Sequence, residues 1–273
     1  MKRVLLTLAL IAITGSSMAQ EAADKKYQAG LVTGFGTNFQ SMETKKIVAN
    51  GIGTDFTIGA NVNISLTETI GFTTGAEFDF ETLKYKAADG ENIYYHYVDS
   101  EILKSEDVAG NANAELFRLD TRKQKATYLS IPTMMLFRTN FIGYFRYFGK
   151  FGLRNSFLLS NKIFDTGENF TPDLILGGIP TAGDNDNMTA SNEMFFFKST
   201  VGAAGGAEWN FTGSTSLVAE LGFYYGFTPL YYNRDAEKTF LYTSGFNNGS
   251  GNDLNFSNQA KQTQLMLKVS ILF

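Results

Sequence analysis

The chain closes on Lys261-Gln-Thr-Gln-Leu-Met-Leu-Lys-Val-Ser-Ile-Leu-Phe273. Leu265, Leu267, Val269, Ile271 and Phe273 take every second place, with Lys268 and Ser270 among the residues between them. A period of two sends the two sets to opposite faces of a strand. One greasy face, one polar face and an aromatic end suit a strand of a transmembrane barrel, with lipid outside and a polar interior.

The same period recurs upstream, in segments at about 27–39, 51–66, 69–85, 125–139, 146–160, 195–211 and 215–229. The second is the cleanest: Ile52, Phe56, Ile58, Ala60, Val62, Ile64 and Leu66 alternate with Gly53, Asp55, Thr57, Gly59, Asn61, Asn63 and Ser65. The expected fold is all-β, an eight-stranded antiparallel up-and-down transmembrane β-barrel. Its connections alternate in length. Short links fall near Thr67-Glu68, Asn140 to Phe145 and Thr212-Gly213-Ser214, and long polar ones join the remaining neighbours. Bacterial barrels have short periplasmic turns and long extracellular loops, so both termini are expected in the periplasm. The segments are longer than the roughly 9–11 residues that cross a bilayer, and the wall should project on the long-loop side. Pro132 lacks a ladder donor, which predicts a bulge or an irregular pair there. The soluble alternative, a barrel of lipocalin type, is greasy inside. It seldom carries this many charges opposite the aliphatic face.

The N-terminus reads as an export signal. Lys2 and Arg3 precede the short apolar run Val4 to Ile13, and Ser17-Met18-Ala19 has the small-x-small form cut by signal peptidase. Residues 1–19 are therefore expected to be removed, leaving 20–273 as one barrel domain. Cysteine is absent, which excludes disulfides, thiolate metal sites and catalytic thiols. The net charge of −4 argues against a nucleic-acid partner. The expected location is the bacterial outer membrane, in contact with its lipid and glycolipid. No cofactor, metal or catalytic group is expected.

Charges on the predicted inner faces are the first functional candidates: Asp55, Glu77, Asp79, Glu81, Glu208 and Glu220 against Arg138, Lys150, Arg154, Lys198 and Lys268. The interior of an eight-stranded barrel is only wide enough for side chains, so these should pair and plug the lumen. A narrow ion path is the sharper alternative. Basic residues collect near the predicted outer rim, Lys84, Lys86, Arg122, Lys123 and Lys125 among them. Such a rim suits glycolipid phosphates, and equally suits a charged edge that stays wet. His96, the one histidine, lies in the aromatic run Ile93 to Val98 near Ser100 and Glu101. A hydrolase triad and simple loop packing, as a small hairpin or a partner contact, are both open. Asp184-Asn185-Asp186-Asn187 starts like a calcium loop but lacks its glycine and closing glutamate. Trp209 fits an interfacial aromatic girdle.

Tyr128-Leu129-Ser130-Ile131-Pro132, followed by Met134-Met135-Leu136-Phe137, resembles the Tyr-Leu-x-Ile-Pro strand of the PorT-like outer-membrane barrels common in Bacteroidetes. The resemblance extends to the layout of signal, glycine-rich first strand and terminal Phe. It implies the fold and the location. One branch of that family is required for type IX secretion and others accompany larger outer-membrane assemblies. Phe273 resembles the signal read by the barrel-assembly machinery, an expected partner during insertion. The expected function is that of a non-enzymatic structural or accessory subunit, bound to other outer-membrane proteins in a secretion or assembly complex. A small passive channel and a glycolipid-modifying enzyme are the rivals.

Overall fold

From Ser216 to Gly226 each residue faces the other way from the one before, buried and exposed in strict turn. That alternation governs the whole computed structural model, which describes residues 26–170, 180–212, 215–232, 235, 238–243 and 254–273. In chain order the elements are β1 (Tyr27–Met42), β2 (Ile47–Ala49), β3 (Gly53–Ser65), β4 (Ile70–Ala87), β5 (Ile93–Val98) and β6 (Glu101–Ile102). A single helical turn, α1 (Ser105–Val108), precedes β7 (Glu115–Arg138), β8 (Phe145–Phe170) and β9 (Thr181–Met188). The rest are β10 (Phe197–Asn210), β11 (Ser216–Gly226), β12 (Leu241–Thr243), β13 (Leu254–Phe256) and β14 (Ala260–Leu272). The expected signal, residues 1–19, lies outside the described residues, as does part of the link at 212–214.

Eight strands form a closed antiparallel ring in the order β1, β3, β4, β7, β8, β10, β11, β14. β14 returns to β1 with Leu272 opposite Gly30 and Ala260 opposite Met42. Closure leaves no unpaired edge, the condition hydrocarbon imposes on a sheet. The outer face is greasy: Leu31, Phe35, Phe151, Leu221 and Leu267 are each more than half exposed. Glu77, Asp79, Arg154 and Lys268 are buried on the inner face. Polar inside and apolar outside is the inverse of a lipocalin, and it is the arrangement of a transmembrane barrel.

β7 and β8 run to 24 and 26 residues, well past the expected 125–139 and 146–160. They stay paired from Arg138 opposite Phe148 up to Leu116 opposite Phe170. The missed portions obey the same period with the polarity reversed. On β4 the outward side chains change from Phe78 and Phe80 to Lys84 and Lys86, and the inward ones from Glu77, Asp79 and Glu81 to Leu83 and Tyr85. On β7 the outward series Phe137, Met135, Ile131 gives way to Lys125 and Lys123, while Leu119 and Phe117 turn inward. Below the change the wall is built for lipid; above it, for water. The upper section has its own apolar core, with Leu83, Tyr85, Ile93, Tyr95, Phe117, Leu119 and Ile163 fully or almost fully buried.

Short strands from the long connections cover this core. β5 lies beside β7, with Ile93 opposite Leu119, and β12 lies beside β5. β5 and β6 form the small hairpin of the aromatic run. β9 flanks β8. At Pro132 the β4–β7 ladder skips from Thr74–Thr133 to Glu77–Ser130 without losing register, an irregular pair instead of a bulge. The register shifts lie higher on β7, between Leu119 and Thr121 and between Thr127 and Tyr128.

Candidate functional site

The lumen is the most heavily charged place in the molecule. Asp55, Glu77, Asp79, Glu81, Glu208 and Glu220 are buried there with Arg138, Arg146, Lys150, Arg154, Lys198 and Lys268. At the short-turn end Arg146 clamps Glu208, with Nε–Oε2 of 2.7 Å and Nη2–Oε1 of 3.0 Å, and Nη2 also donates to Gln28. Arg138 donates to Ser65 at 2.7 Å and to Gln28 at 3.2 Å. One step higher, Lys150 meets Glu220 at 2.6 Å. The central knot is Arg154, whose Nη2 reaches Glu77 at 2.7 Å and Asp79 at 2.5 Å. Lys268 donates to both carboxylate oxygens of Glu77, Oε1 at 2.9 Å and Oε2 at 2.8 Å. Thr57 and Ser130 donate to Asp79, and Ser130 meets Ser156. Above them Lys198 bonds to Glu81 and Gln262, while Gln264 donates to both Asp55 and Glu81 and Asn38 donates to Asp55. A buried charge without a partner is costly. Here each carboxylate has a cation or at least two neutral donors.

The inward glycines make room for neighbours, which occupy it. A Cβ on Gly202 would stand 2.2 Å from Cδ1 of Tyr224, and one on Gly206 would stand 2.6 Å from Cζ of Phe148. Phe148 packs with Leu136, Val218 and Leu272 near the short turns, and Tyr224 with Met134 and Met266 above them. The cavity between Asn63, Arg138, Phe148, Lys150 and Glu208 measures about 10 Å³, the space of a single water.

Above the lumen a second buried cluster joins the barrel extension to the loops. Arg122 Nε and Nη2 bond to Asp165 at 2.8 and 2.7 Å, and Nη1 bonds to Glu193 at 3.1 Å and to the Tyr85 hydroxyl at 3.2 Å. Glu193 lies in the connection between β9 and β10 and also accepts from Gln124 and Asn258, each at 2.8 Å. Tyr231 donates to Gln124. Burial would lower the Arg122 pKa, but Asp165, Tyr85 and Glu193 more than offset it and hold the guanidinium charged. Burial pushes the Glu193 carboxyl above its ordinary range; Arg122 opposes this and Asp165 adds to it.

This placement corrects one expectation. Arg122 is not an outer-rim residue. It sits between the outward Thr121 and Lys123 on a strand, so parity turns it inward, where it is 1% exposed. Lys84, Lys86, Lys123 and Lys125 do lie on the outer face, where the polarity of the wall changes. The His96 ring stacks on Tyr242 with centroids 5.5 Å apart, and Glu101 accepts from Ser191 at 2.8 Å. Asp184 to Asn187 belong to β9, and Asn185 is buried and donates to Tyr95. Among the described residues no group of three acidic or histidine side chains is arranged to hold a metal. Trp209 stacks on Phe145 at 6.1 Å beside the exposed Tyr144 and Tyr147, at the short-turn edge of the apolar belt. Phe273 is exposed on the wall, and its amide donates to Ala29.

Sequence reasoning missed Arg146, although it shares the parity of Lys150 and Arg154. It also missed the neutral donors Asn38, Gln262 and Gln264, whose inward parity was legible but whose partners sit on other strands. Glu193 carried no signal at all, since its connection has no period.

Residues 18–232 match the family described as "Outer membrane protein beta-barrel domain". No curated protein matches the sequence. Among solved structures the chain is similar to the attachment invasion locus protein Ail of Yersinia pestis, at 11% identity over 91% of this chain and 100% of that one, with a TM-score of 0.32. Neisserial surface protein A matches at 10% identity over 91% and 98%, with a TM-score of 0.33. OprG from Pseudomonas aeruginosa matches at 10% identity over 93% and 99%, with a TM-score of 0.39.

Proposed function

The chain belongs to the outer-membrane β-barrel domain family, and from that premise we propose that it is a non-enzymatic, non-conducting barrel that serves as a docking subunit of a larger outer-membrane complex. In this reading the short turns and both termini are periplasmic and the capped end faces outward. One observation carries it: the lumen is filled by paired charges and packed rings, while the long connections fold into a covered extension with its own core. A pore needs a continuous path, and here the packed Phe148 and Tyr224 rings and the ion pairs around Arg154 stand in the lumen. A channel would also leave the ordered cap without a purpose. Ordering an extension of β5, β9 and β12 costs conformational entropy, and use of that surface gives this cost a return.

The cap presents an open hollow of about 680 Å³ beside Asp99, Glu101, Glu106 and Asp107, a shape and charge suited to a basic segment of a partner. The stretch Tyr128 to Phe137 supports a place among PorT-like barrels of Bacteroidetes, and hence a secretion-related complex. Phe273 supports delivery by the barrel-assembly machinery.

The test is a pull-down of the tagged protein from its own outer membrane in mild detergent, with planar-bilayer recording of the pure barrel. Stoichiometric outer-membrane partners and a silent bilayer are expected. A lone barrel with steady conductance would overturn the reading.

A further inference from the structure

We propose that Lys84, Lys123, Lys125 and Lys162 form a binding site for the phosphates of an outer-leaflet glycolipid. The site lies on the outer wall of β4, β7 and β8. The inference rests on the proposed orientation, with the capped end outside.

The register places the four ammonium groups on one patch. Lys84 stands opposite Lys123, and Lys125 is flanked by Thr82 on one side and Lys162 on the other. Lys123 and Lys125 are two apart on one strand and share a face. Two direct Lys–Lys pairs across neighbouring strands are destabilising on their own, since the side chains of such pairs approach to roughly 5 Å. Among the described residues no acid comes within ion-pairing distance of these four. Nearby cations are handled otherwise: Lys86 meets Asp89 at 3.7 Å, and Arg118 on the next rows meets Glu168 at 2.8 Å. The chain as a whole is acidic, at −4, so the patch is not a sample of a generally basic surface. A rim that only needed wetting would be served by mixed charge.

Position supplies the ligand's other half. Immediately below the lysines the outward rows read Phe80, Thr127, Ser160 and then Phe78, Leu129, Phe157. Phe78, Phe80 and Phe157 are each more than a third exposed. A phosphate held by the lysines therefore leaves its acyl chains against this wall. The Lys125 ammonium already lies 4.6 Å from the Phe164 ring centroid, which holds it at the wall instead of in bulk water. A diphosphorylated, multiply acylated glycolipid matches both parts of the surface.

The experiment uses the full-length folded protein in neutral detergent. It is titrated with diphosphoryl lipid A, with the same lipid dephosphorylated, and with phosphatidylglycerol, and bound lipid is counted by native mass spectrometry. Diphosphoryl lipid A is expected to bind best. The K84Q/K123Q/K125Q variant should bind it roughly tenfold or more weakly, and K45Q, a loop control, should match the parent. Heat-dependent gel mobility shows that each variant is folded. Equal binding of dephosphorylated lipid, preference for phosphatidylglycerol, or an unaltered triple variant would overturn the proposal. Orientation is read separately. The parent has no cysteine, so K45C on intact cells should react with an impermeant maleimide. Lipid A binding without surface labelling would overturn the orientation and with it the outer-leaflet ligand, leaving only a phosphate-binding patch.

Discussion

Arg122 grips Asp165 through two nitrogens, Nη2 at 2.7 Å and Nε at 2.8 Å, and neither side chain is accessible to solvent. The pair sits above the membrane belt, where a soluble protein would place leucines. It links β7 to β8 and, through Glu193, to the connection before β10. Removing the cation leaves two buried carboxylates facing each other's field. R122A should therefore cost about 3–5 kcal/mol. The loss should fall on the cap: limited proteolysis will cut the connections around β9 and β12 while the membrane-embedded wall stays intact. Cleavage no faster than in the parent would show that the cluster is not what holds the cap.

Glu193 gives the cap a pH dependence of defined sign. Its folded pKa is raised above the ordinary 4.5 by burial first, so the folded state holds the proton more tightly than the unfolded one. The group's contribution is fully present below about pH 4.5 and is lost as pH rises through the folded value. E193Q imitates the protonated carboxyl at every pH. Parent and variant should match in acid, and the parent should fall behind as pH rises, measured as hydrogen exchange in β12. A parent that gains on the variant with rising pH would reverse the sign.

Gly202 is required by Tyr224. Its missing Cβ leaves 2.2 Å to the ring, so G202A should destabilise the barrel by about 1–3 kcal/mol through overpacking. G202L should be worse alone and be partly rescued by Y224A, because the new side chain fills the vacated space. Urea unfolding followed by the single tryptophan measures both effects. Additive losses would mean that the two positions do not compete for one volume.

Trp209 reports the depth of the barrel. It is 43% exposed and stacks on Phe145 at the short-turn edge of the belt. Lipids brominated near the headgroup should quench it more than lipids brominated at the chain ends. The opposite order would place the ring near the bilayer centre and shift the membrane belt along the barrel.

The fold was largely legible because one rule, a period of two with apolar residues outward, holds wherever the wall meets lipid. It failed where the solvent changes. Glu115 to Gln124 and Asn161 to Phe170 keep the period but exchange faces, so a search for outward aliphatics reads them as loop. Arg122 was misplaced for the same reason: inside a supposed loop it had no parity. The lumen charges were legible as a set, since parity fixes which side they face. Their partners were not, because Glu77 with Lys268 and Lys198 with Glu81 join residues 191 and 117 positions apart. Register between distant strands decides such pairs.

The pattern of lumen pairs also sets an order of events. Glu77, Asp79 and Glu81 on β4 precede every cation that pairs with them: Arg154, Lys198 and Lys268 arrive on β8, β10 and β14. In chain order the first hairpins present an acidic face that no lumen cation yet meets. The last strand brings Lys268 to Glu77 in the same movement that joins β14 to β1. Sealing the sheet and supplying the last of these cations are therefore one step, made by the thirteen residues of β14.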